Sequence, residues 1–258
     1  MRILHMSGAG NDFMVMDARS GNWDFEELSK KLCAITGADG FMAVDTSEIA
    51  DFRLHFYNAD GSRGEMCGNG ARCICKFAYD HGIADTKMTV QTDAGIVEGW
   101  RIGEEQFRVK LNNPGVVDLY RTPEAAYVEL GDPGVPHCLT EVVGLEHFQK
   151  EQLRPMAEKL RHDQAFPKGA NVNFYGFVSD RILRILTYER GVEDYTLACG
   201  TGSGSLVAAL WLAGKIPAGE IEVENPGGTL IVTVFGKGGE VTDLYLEGPA
   251  QVVGVYDI

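Results

Sequence analysis

The sequence predicts an α/β (α+β) chain built as two similar lobes, and three observations carry the prediction. A cysteine followed at once by a glycine-rich helix start occurs twice, as MCGNGARC at 66–73 and LACGTGSG at 197–204. Adding 132 to the residue number carries Cys67 to Cys199, Gly68 to Gly200, Gly70 to Gly202, Gly82 to Gly214 and Gly95 to Gly227 without a gap. Stretches of alternating apolar residues broken by turn residues flank both copies, so each half reads strand, polar strand end, cysteine loop, buried helix, hairpin.

The 132-residue shift is expected to carry upstream as well, pairing Leu54 with Leu186, Phe56 with Tyr188 and Asn58 with Arg190. GAGNDF at 8–13 also resembles GANVNF at 169–174, at a shift of 161. Two similar lobes imply a pseudo-two-fold axis, which is expected to bring the two cysteine loops together where ligand sites commonly lie.

The elements follow from local pattern. GAGNDF reads as a loop feeding the strand FMVMD. Residues 24–35 place Phe25, Leu28, Leu32 and Ile35 at helical spacing behind an Asp24 cap, with Gly37 as the stop. FMAVD and FRLHFYN alternate as strands and end in the turn NADGS at 58–62. A helix then runs from Gly70 to about Tyr79, with Gly82 behind it. MTVQTDAG, IVEGW and QFRVKL continue as strands, and NNPG at 112–115 marks the boundary between halves. This gives a first lobe at 1–112, a second at 113–248 and a last strand at 249–258.

In the second half AYVEL is a strand and GDPGVPHCL a turn-rich stretch carrying His137. KEQLRPMAEKLRH at 150–162 contains a helix, and Pro155 predicts that it starts near that residue. GANVNFYGFV and ILRILTYERG are strands. SLVAALWLAG at 205–214 is apolar on all sides, as a helix surrounded by a sheet would be. EIEVENPGG, TLIVTVFG, VTDLYLEG and QVVGVYDI complete the chain as strands.

Composition bounds the function. With 258 residues, 45% of them hydrophobic, the chain can bury a large core. A net charge of −14 disfavours nucleic acid and acidic membrane surfaces as partners. No apolar run approaches the roughly 18 residues of a membrane span, and MRILHMSGAGND has no signal-peptide core, so a cytoplasmic protein is expected. Six cysteines in such a chain read as reduced thiols. Cys33, Cys73 and Cys75 fall on or within apolar helices and read as packing residues.

Cys67 and Cys199 read differently, because a helix N-terminus offers unpaired N–H groups and a positive dipole end that favour thiolate. Inverting a carbon stereocentre by proton transfer needs a base on one face and an acid on the other, and two thiols supply both by exchanging protonation states. The GNG and GTG loops would aim backbone N–H groups at an α-carboxylate and stabilise the charge that develops on proton abstraction. Asn58, Asn171, Glu189 and Arg190 offer groups for an ammonium and a second carboxylate. A phosphate cradle is the competing reading of a glycine-rich helix start. Neither copy has G-x-G-x-x-G spacing or a P-loop lysine, and a cysteine before the glycines has no role there.

The strings GAGNDF, NADGS followed by EMCGNGARC, GANVNF, and YERG followed by ACGTG resemble the diaminopimelate epimerase family over nearly the whole chain and in the same order. The resemblance implies cofactor-independent interconversion of LL- and meso-diaminopimelate, in lysine and peptidoglycan synthesis, with no metal and no pyridoxal phosphate lysine. It implies two lobes, each a curled mixed sheet around a central helix, with the last strand returning to the first lobe, and a homodimer. It implies Cys67 and Cys199 as the acid/base pair and Gly68, Asn69, Gly200 and Thr201 as the carboxylate cradle. Asn11, Asn58, Asn171, Glu189 and Arg190 would contact substrate, and His137 and Glu189 would tune the thiols. Three positions depart from the family pattern: Val135 stands where many members carry asparagine before Pro-His, Ser7 where histidine or glutamine is common, and Gly40 near the family's glutamine. They leave open a second reading, the same two-thiol chemistry on another amino acid such as histidine, and a third, a non-catalytic binder of an amino acid or phosphate.

Overall fold

A computed structural model of the chain describes residues 2–64, 67–132 and 134–257; Glu65 and Met66, which lead into Cys67, and Pro133 of the GDPGVPHCL stretch lie outside the described residues. The chain divides into two units, Met1–Lys110 with Glu247–Ile258, and Leu111–Leu246.

In the first unit, β1 (Arg2–Gly8) and β2 (Asn11–Asp17) form an antiparallel hairpin with Gly8 opposite Asn11. Its two-residue turn, Ala9 and Gly10, has positive φ at both positions, the twist that tight hairpins require. α1 (Phe25–Thr36) carries the chain over to β3 (Gly40–Asp45), which lies parallel to β2. Asp24 caps α1 by accepting from Glu27 N, and Gly37 ends it in the left-handed conformation. β4 (Phe52–Asn58) and β5 (Arg63–Gly64) follow antiparallel. Then come α2 (Gly68–Asp80), β6 (Lys87–Thr92) parallel to β4, and the meander of β7 (Gly95–Arg101) and β8 (Gln106–Leu111). α2 packs against β1, β2, β3 and β7, and every residue from Gly68 to Ala78 is buried, Arg72 and Lys76 included.

The second unit repeats this order. β9 (Pro114–Asp118) precedes β10 (Ala126–Gly131), β11 (Gly134–Glu141) and α3 (Lys150–Arg161). β12 (Asn171–Phe177) lies parallel to β11, β13 (Ile182–Glu189) antiparallel to β12, and β14 (Asp194–Thr196) antiparallel to β13. α4 (Gly200–Leu212) leads to β15 (Gly219–Asn225), β16 (Gly228–Lys237) and β17 (Glu240–Pro249). α4 touches β9, β10, β11, β12 and β16 and is buried through Leu210 save for the half-buried Thr201, which is why its sequence lacks a polar face. β18 (Gln251–Asp257) pairs antiparallel with β1, the place β9 takes beside β10. α2 and α4 are both 13 residues long and stand 132 apart in number. No helix among the described residues is long and apolar enough to cross a membrane.

The pairings correct the repeat upstream of the cysteines. Tyr57 faces Arg63 across β4 and β5, and Tyr188 faces Tyr195 across β13 and β14, so the turn in the second unit is one residue longer. The shift for that strand is therefore 131: Phe52 matches Leu183, Leu54 matches Ile185 and Asn58 matches Glu189. Burial agrees, since Phe52, Leu54, Leu183 and Ile185 point inward while Arg184 and Leu186 are only partly buried. A one-residue slip would turn every side chain to the other face. GAGNDF and GANVNF are not structural counterparts either: the first spans the β1–β2 turn and the second leads into β12, whose counterpart is β3.

Other expectations change with the structure. GVPHC is strand, not turn. Pro136 precedes the first parallel pair, His137 with Asn171, so its missing N–H interrupts nothing on that side. The second-half cysteine helix and its first-half counterpart begin immediately after their cysteines, α2 at Gly68 rather than Gly70. Ile35 is 70% exposed, because in the last turn of α1 the buried face has moved to Leu32 and Cys33. α3 starts at Lys150, five residues before Pro155, held by a reciprocal Gln149–Gln152 capping box and by burial of Leu153, Ala157 and Leu160. Pro155 lies on the exposed face, and the Glu151 carbonyl it cannot serve belongs to an exposed residue.

Replacing Pro155 by Ala restores that hydrogen bond. The gain in helix propensity, offset by the freer unfolded chain, should raise stability by about 2 kcal/mol; urea unfolding with an unchanged slope but a higher midpoint is the expected result, and an unchanged or lowered midpoint would contradict it.

Candidate active site

Cys67 and Cys199 occupy the same local position, the N-cap of a 13-residue helix, in extended conformation at φ −126°, ψ 124° and φ −122°, ψ 106°. In each, the cysteine carbonyl accepts the first bond of the helix, from Ala71 N at 2.7 Å and from Ser203 N at 2.9 Å. The N–H groups of the three residues between, Gly-Asn-Gly and Gly-Thr-Gly, thus lie ahead of the helical ladder. Cys199 Sγ accepts from Gly202 N at 3.4 Å and lies 3.5 Å from Thr201 Oγ1. Backbone amides and a positive dipole end at a sulfur are the conditions that favour thiolate.

Around Cys67 the first unit assembles a polar chain. Asn69 Nδ2 donates to Asn11 Oδ1 at 2.5 Å, and Asn11 Nδ2 donates in turn to Asp39 Oδ2 at 3.1 Å, which also takes Asp12 N at 3.0 Å. Behind them the wholly buried Arg72 donates to Asn69 Oδ1 at 3.0 Å and to the Gly68 carbonyl at 3.3 Å. The end of β1 comes close to this helix turn: a Cβ at Gly8 would stand 2.8 Å from the Asn69 carbonyl oxygen, so only glycine permits the approach. Asn58 lies apart from this chain, exposed at the end of β4, with Nδ2 donating to Ser62 Oγ at 2.9 Å.

In the second unit His137 and Asn171 face each other in the parallel ladder of β11 and β12. Asn171 Oδ1 accepts from Arg190 N at 2.8 Å, and the exposed Arg190 guanidinium donates to the Lys168 carbonyl at 2.9 Å. Glu189 is half-buried at the end of β13, opposite Asp194. His137 is fully buried, and that burial, with the Arg190 charge adding to it, pulls its pKa down to about 3, so the ring is neutral.

Beside His137, Asn173 Nδ2 lies 3.2 Å from its Nδ1 and Thr187 Oγ1 donates to Asn173 Oδ1 at 2.9 Å. Four side chains of these networks escape the sequence reading: Asp39, Arg72, Asn173 and Thr187. Asn173 and Arg72 carry a signal in retrospect. Each is a polar residue at an inward position of an otherwise apolar element, Asn173 in phase with Asn171 along β12 and Arg72 among the buried residues of α2. Asp39 and Thr187 are ordinary by position and take their place only through folded contacts.

Comparison with known proteins decides the family. The diaminopimelate epimerase family profile matches residues 3–114 and 131–253. The chain belongs to the diaminopimelate epimerase family. Relatives in this family include a diaminopimelate epimerase of Chlorobaculum tepidum, 38% identical with 96% of this chain and 97% of the relative covered. That of Aquifex aeolicus is 32% identical, covering 98% and 96%. In fold the chain resembles a probable proline racemase from Agrobacterium radiobacter, with TM-score 0.73 at 17% identity over 100% of this chain and 92% of that one. It also resembles a PhzF-family phenazine biosynthesis protein from Bacillus anthracis, with TM-score 0.72 at 16% identity over 100% and 98%.

The six thiols of this family member divide by environment. Burial pushes Cys73, Cys75 and Cys138 up to about 12 and Cys33 up to about 11. At pH 8 their thiolate fractions are then roughly one in a thousand or less. Native protein treated with an alkylating reagent at pH 8 should therefore be spared at these four thiols, and all six sites should react in guanidinium. Peptide mapping that finds Cys33, Cys73, Cys75 or Cys138 labelled natively at the unfolded rate would contradict this division.

Proposed function

We propose that the chain epimerises LL-diaminopimelate to meso-diaminopimelate without a cofactor, with Cys67 and Cys199 as the acid/base pair. The observation that carries the reading is the repeated N-cap cysteine, two thiols at the same turn of two equivalent helices in a chain 38% identical to a diaminopimelate epimerase. One thiolate removes the α-proton as S–H, and the other thiol delivers its proton to the opposite face of the same carbon. The two sulfurs finish with their protonation states exchanged, which suits a reversible reaction.

Charge that develops on the α-carboxylate is met by backbone N–H groups of Gly68, Asn69, Gly200 and Thr201 at two helix starts. Asn11, Asn58, Asn171, Glu189 and Arg190 hold the remaining ammonium and carboxylate, and His137 and Glu189 set the state of the thiols. In this reading the protein is an isomerase of lysine and peptidoglycan synthesis, cytoplasmic and homodimeric, whose partner is a free amino acid rather than nucleic acid or membrane. Val135 supports a narrower second reading. It is the ladder counterpart of Asn11, so the second unit presents a branched apolar side chain where the first presents an amide. The same chemistry on histidine or another amino acid would need fewer polar contacts there.

In D2O the protein should incorporate deuterium at the α-carbon of LL-diaminopimelate, followed by proton NMR. Cys67→Ala and Cys199→Ala should each lose activity by at least roughly 10²–10⁴-fold. Turnover retained in either variant would sink the two-base reading, and turnover of histidine or proline with none of diaminopimelate would replace the substrate.

A further inference from the structure

Asn173 is a fully buried side chain of β12 whose amide orientation is dictated by its neighbours. Its Nδ2 lies 3.0 Å from the Cys138 carbonyl and 3.0 Å from the Asn171 carbonyl, and both of these groups only accept hydrogen bonds. Its Oδ1 accepts from Thr187 Oγ1 at 2.9 Å. The nitrogen end therefore cannot exchange places with the oxygen end. The third neighbour of Nδ2 is His137 Nδ1, at 3.2 Å, so the two amide hydrogens are shared among three acceptors. A proton on Nδ1 would point at an NH₂ group with no lone pair to receive it, so Nδ1 must be the acceptor and the imidazole proton must sit on Nε2. The imidazolium is barred by the same geometry.

Nε2 is buried and has no hydrogen-bond partner among the described residues. A buried N–H without an acceptor costs about 1–3 kcal/mol. Such a group is kept where an acceptor arrives with substrate or with a change of protonation. Asn173 also reaches the second helix start: a Cβ at Gly202 would collide with Asn173 Oδ1, so the glycine after Thr201 makes room for this amide.

We infer that Asn173 is a positioning residue that holds His137 in the Nε2–H tautomer, making His137 a hydrogen-bond donor to the anionic species of the reaction and not a proton-accepting base. The inference rests on the epimerase reading for the reaction it serves, while the tautomer itself is a property of the resting protein. The amide contributes no atom to the substrate; it acts through the imidazole alone.

Nitrogen-15 NMR of protein labelled at histidine decides the tautomer, with His137 assigned by its loss in His137→Gln. The wild type should show a pyrrole-type Nε2 and a hydrogen-bonded pyridine-type Nδ1; a pyrrole-type Nδ1 overturns the inference whether or not the protein epimerises diaminopimelate. Asn173→Leu should move the Nδ1 resonance to that of an unbonded pyridine-type nitrogen and lower kcat roughly tenfold with KM changed much less, the scale of one oriented hydrogen bond. Asn173→Ser, which returns one donor, should recover part of both effects. An unchanged kcat in a folded Asn173→Leu whose Nδ1 has shifted overturns the positioning role. If Asn173→Leu does not fold, the wild-type spectrum and the Ser variant carry the test. Absence of any epimerase activity in the wild type instead overturns the reading of function and leaves the tautomer standing.

Discussion

A cysteine can cap a helix and keep its sulfur available only if the chain supplies the backbone geometry around it. In both units the cysteine carbonyl begins the helical ladder while its side chain stays at the N-terminus, and the next three residues are a glycine, one polar residue and a second glycine. The rest of each unit serves that turn. Sheet strands wrap a helix buried nearly all round, and two approaches are so close that a methyl group would prevent them, Gly8 against the Asn69 carbonyl and Gly202 against the Asn173 amide. A buried helix has no solvent-facing side on which to tilt or slide, so its N-terminus is held as firmly as the core that surrounds it. That firmness is what general acid/base chemistry at a weakly acidic carbon requires, because misplacement by an ångström costs about a hundredfold in rate.

Much of this was legible because the signal was repeated. Gly70 and Gly202, or Gly82 and Gly214, mean little singly, but a gap-free shift of 132 across Cys67 to Gly95 fixes two equivalent helices, and both have 13 residues. Asp24 and Gly37 bounded α1 because caps are local chemistry. Where the reading failed, tertiary structure had overruled a local rule. Pro155 sits inside α3 because it faces solvent while Leu153, Ala157 and Leu160 are buried beneath it. His137 lies on a strand and not a turn, since its ladder with Asn171 begins one residue after Pro136. The slip from 132 to 131 upstream of Cys199 is a single extra turn residue, invisible in a count of matching letters and plain in the alternation of Leu183 and Ile185 with Phe52 and Leu54. In the site, chain position marked the cysteines and their glycines. The supporting polar side chains, Asp39 and Arg72 in the first unit and Asn173 and Thr187 in the second, depend on contacts such as Asn11 with Asp39, 28 residues apart, and Thr187 with Asn173, 14 apart, or on which side chains are inward, and neither is written in a motif.

The corrected register exposes an asymmetry beneath the symmetric scaffold. Reading through the ladders, Asn11 corresponds to Val135, Phe13 to His137, Gly40 to Asn171, Met42 to Asn173 and Asn58 to Glu189. The first unit surrounds its cysteine turn with amides, a carboxylate and a buried guanidinium; the second carries a neutral imidazole, two amides and a hydroxyl, at positions that are not the counterparts of these. An epimerase has reason to be built this way. The reacting carbon is inverted, so the groups that deliver and receive its proton gain from being alike, and in the proposed mechanism both are cysteines at helix starts. The other stereocentre of a diamino diacid must be the same before and after the reaction, and the site must tell it from the reacting centre. A duplicated fold that kept its polar groups duplicated would bind either end of the substrate equally at that distal position. In the proposed mechanism, duplicating the thiols and their glycines while diverging at the neighbouring polar positions separates the two requirements, with symmetry kept at the helix starts and recognition left to the residues that differ.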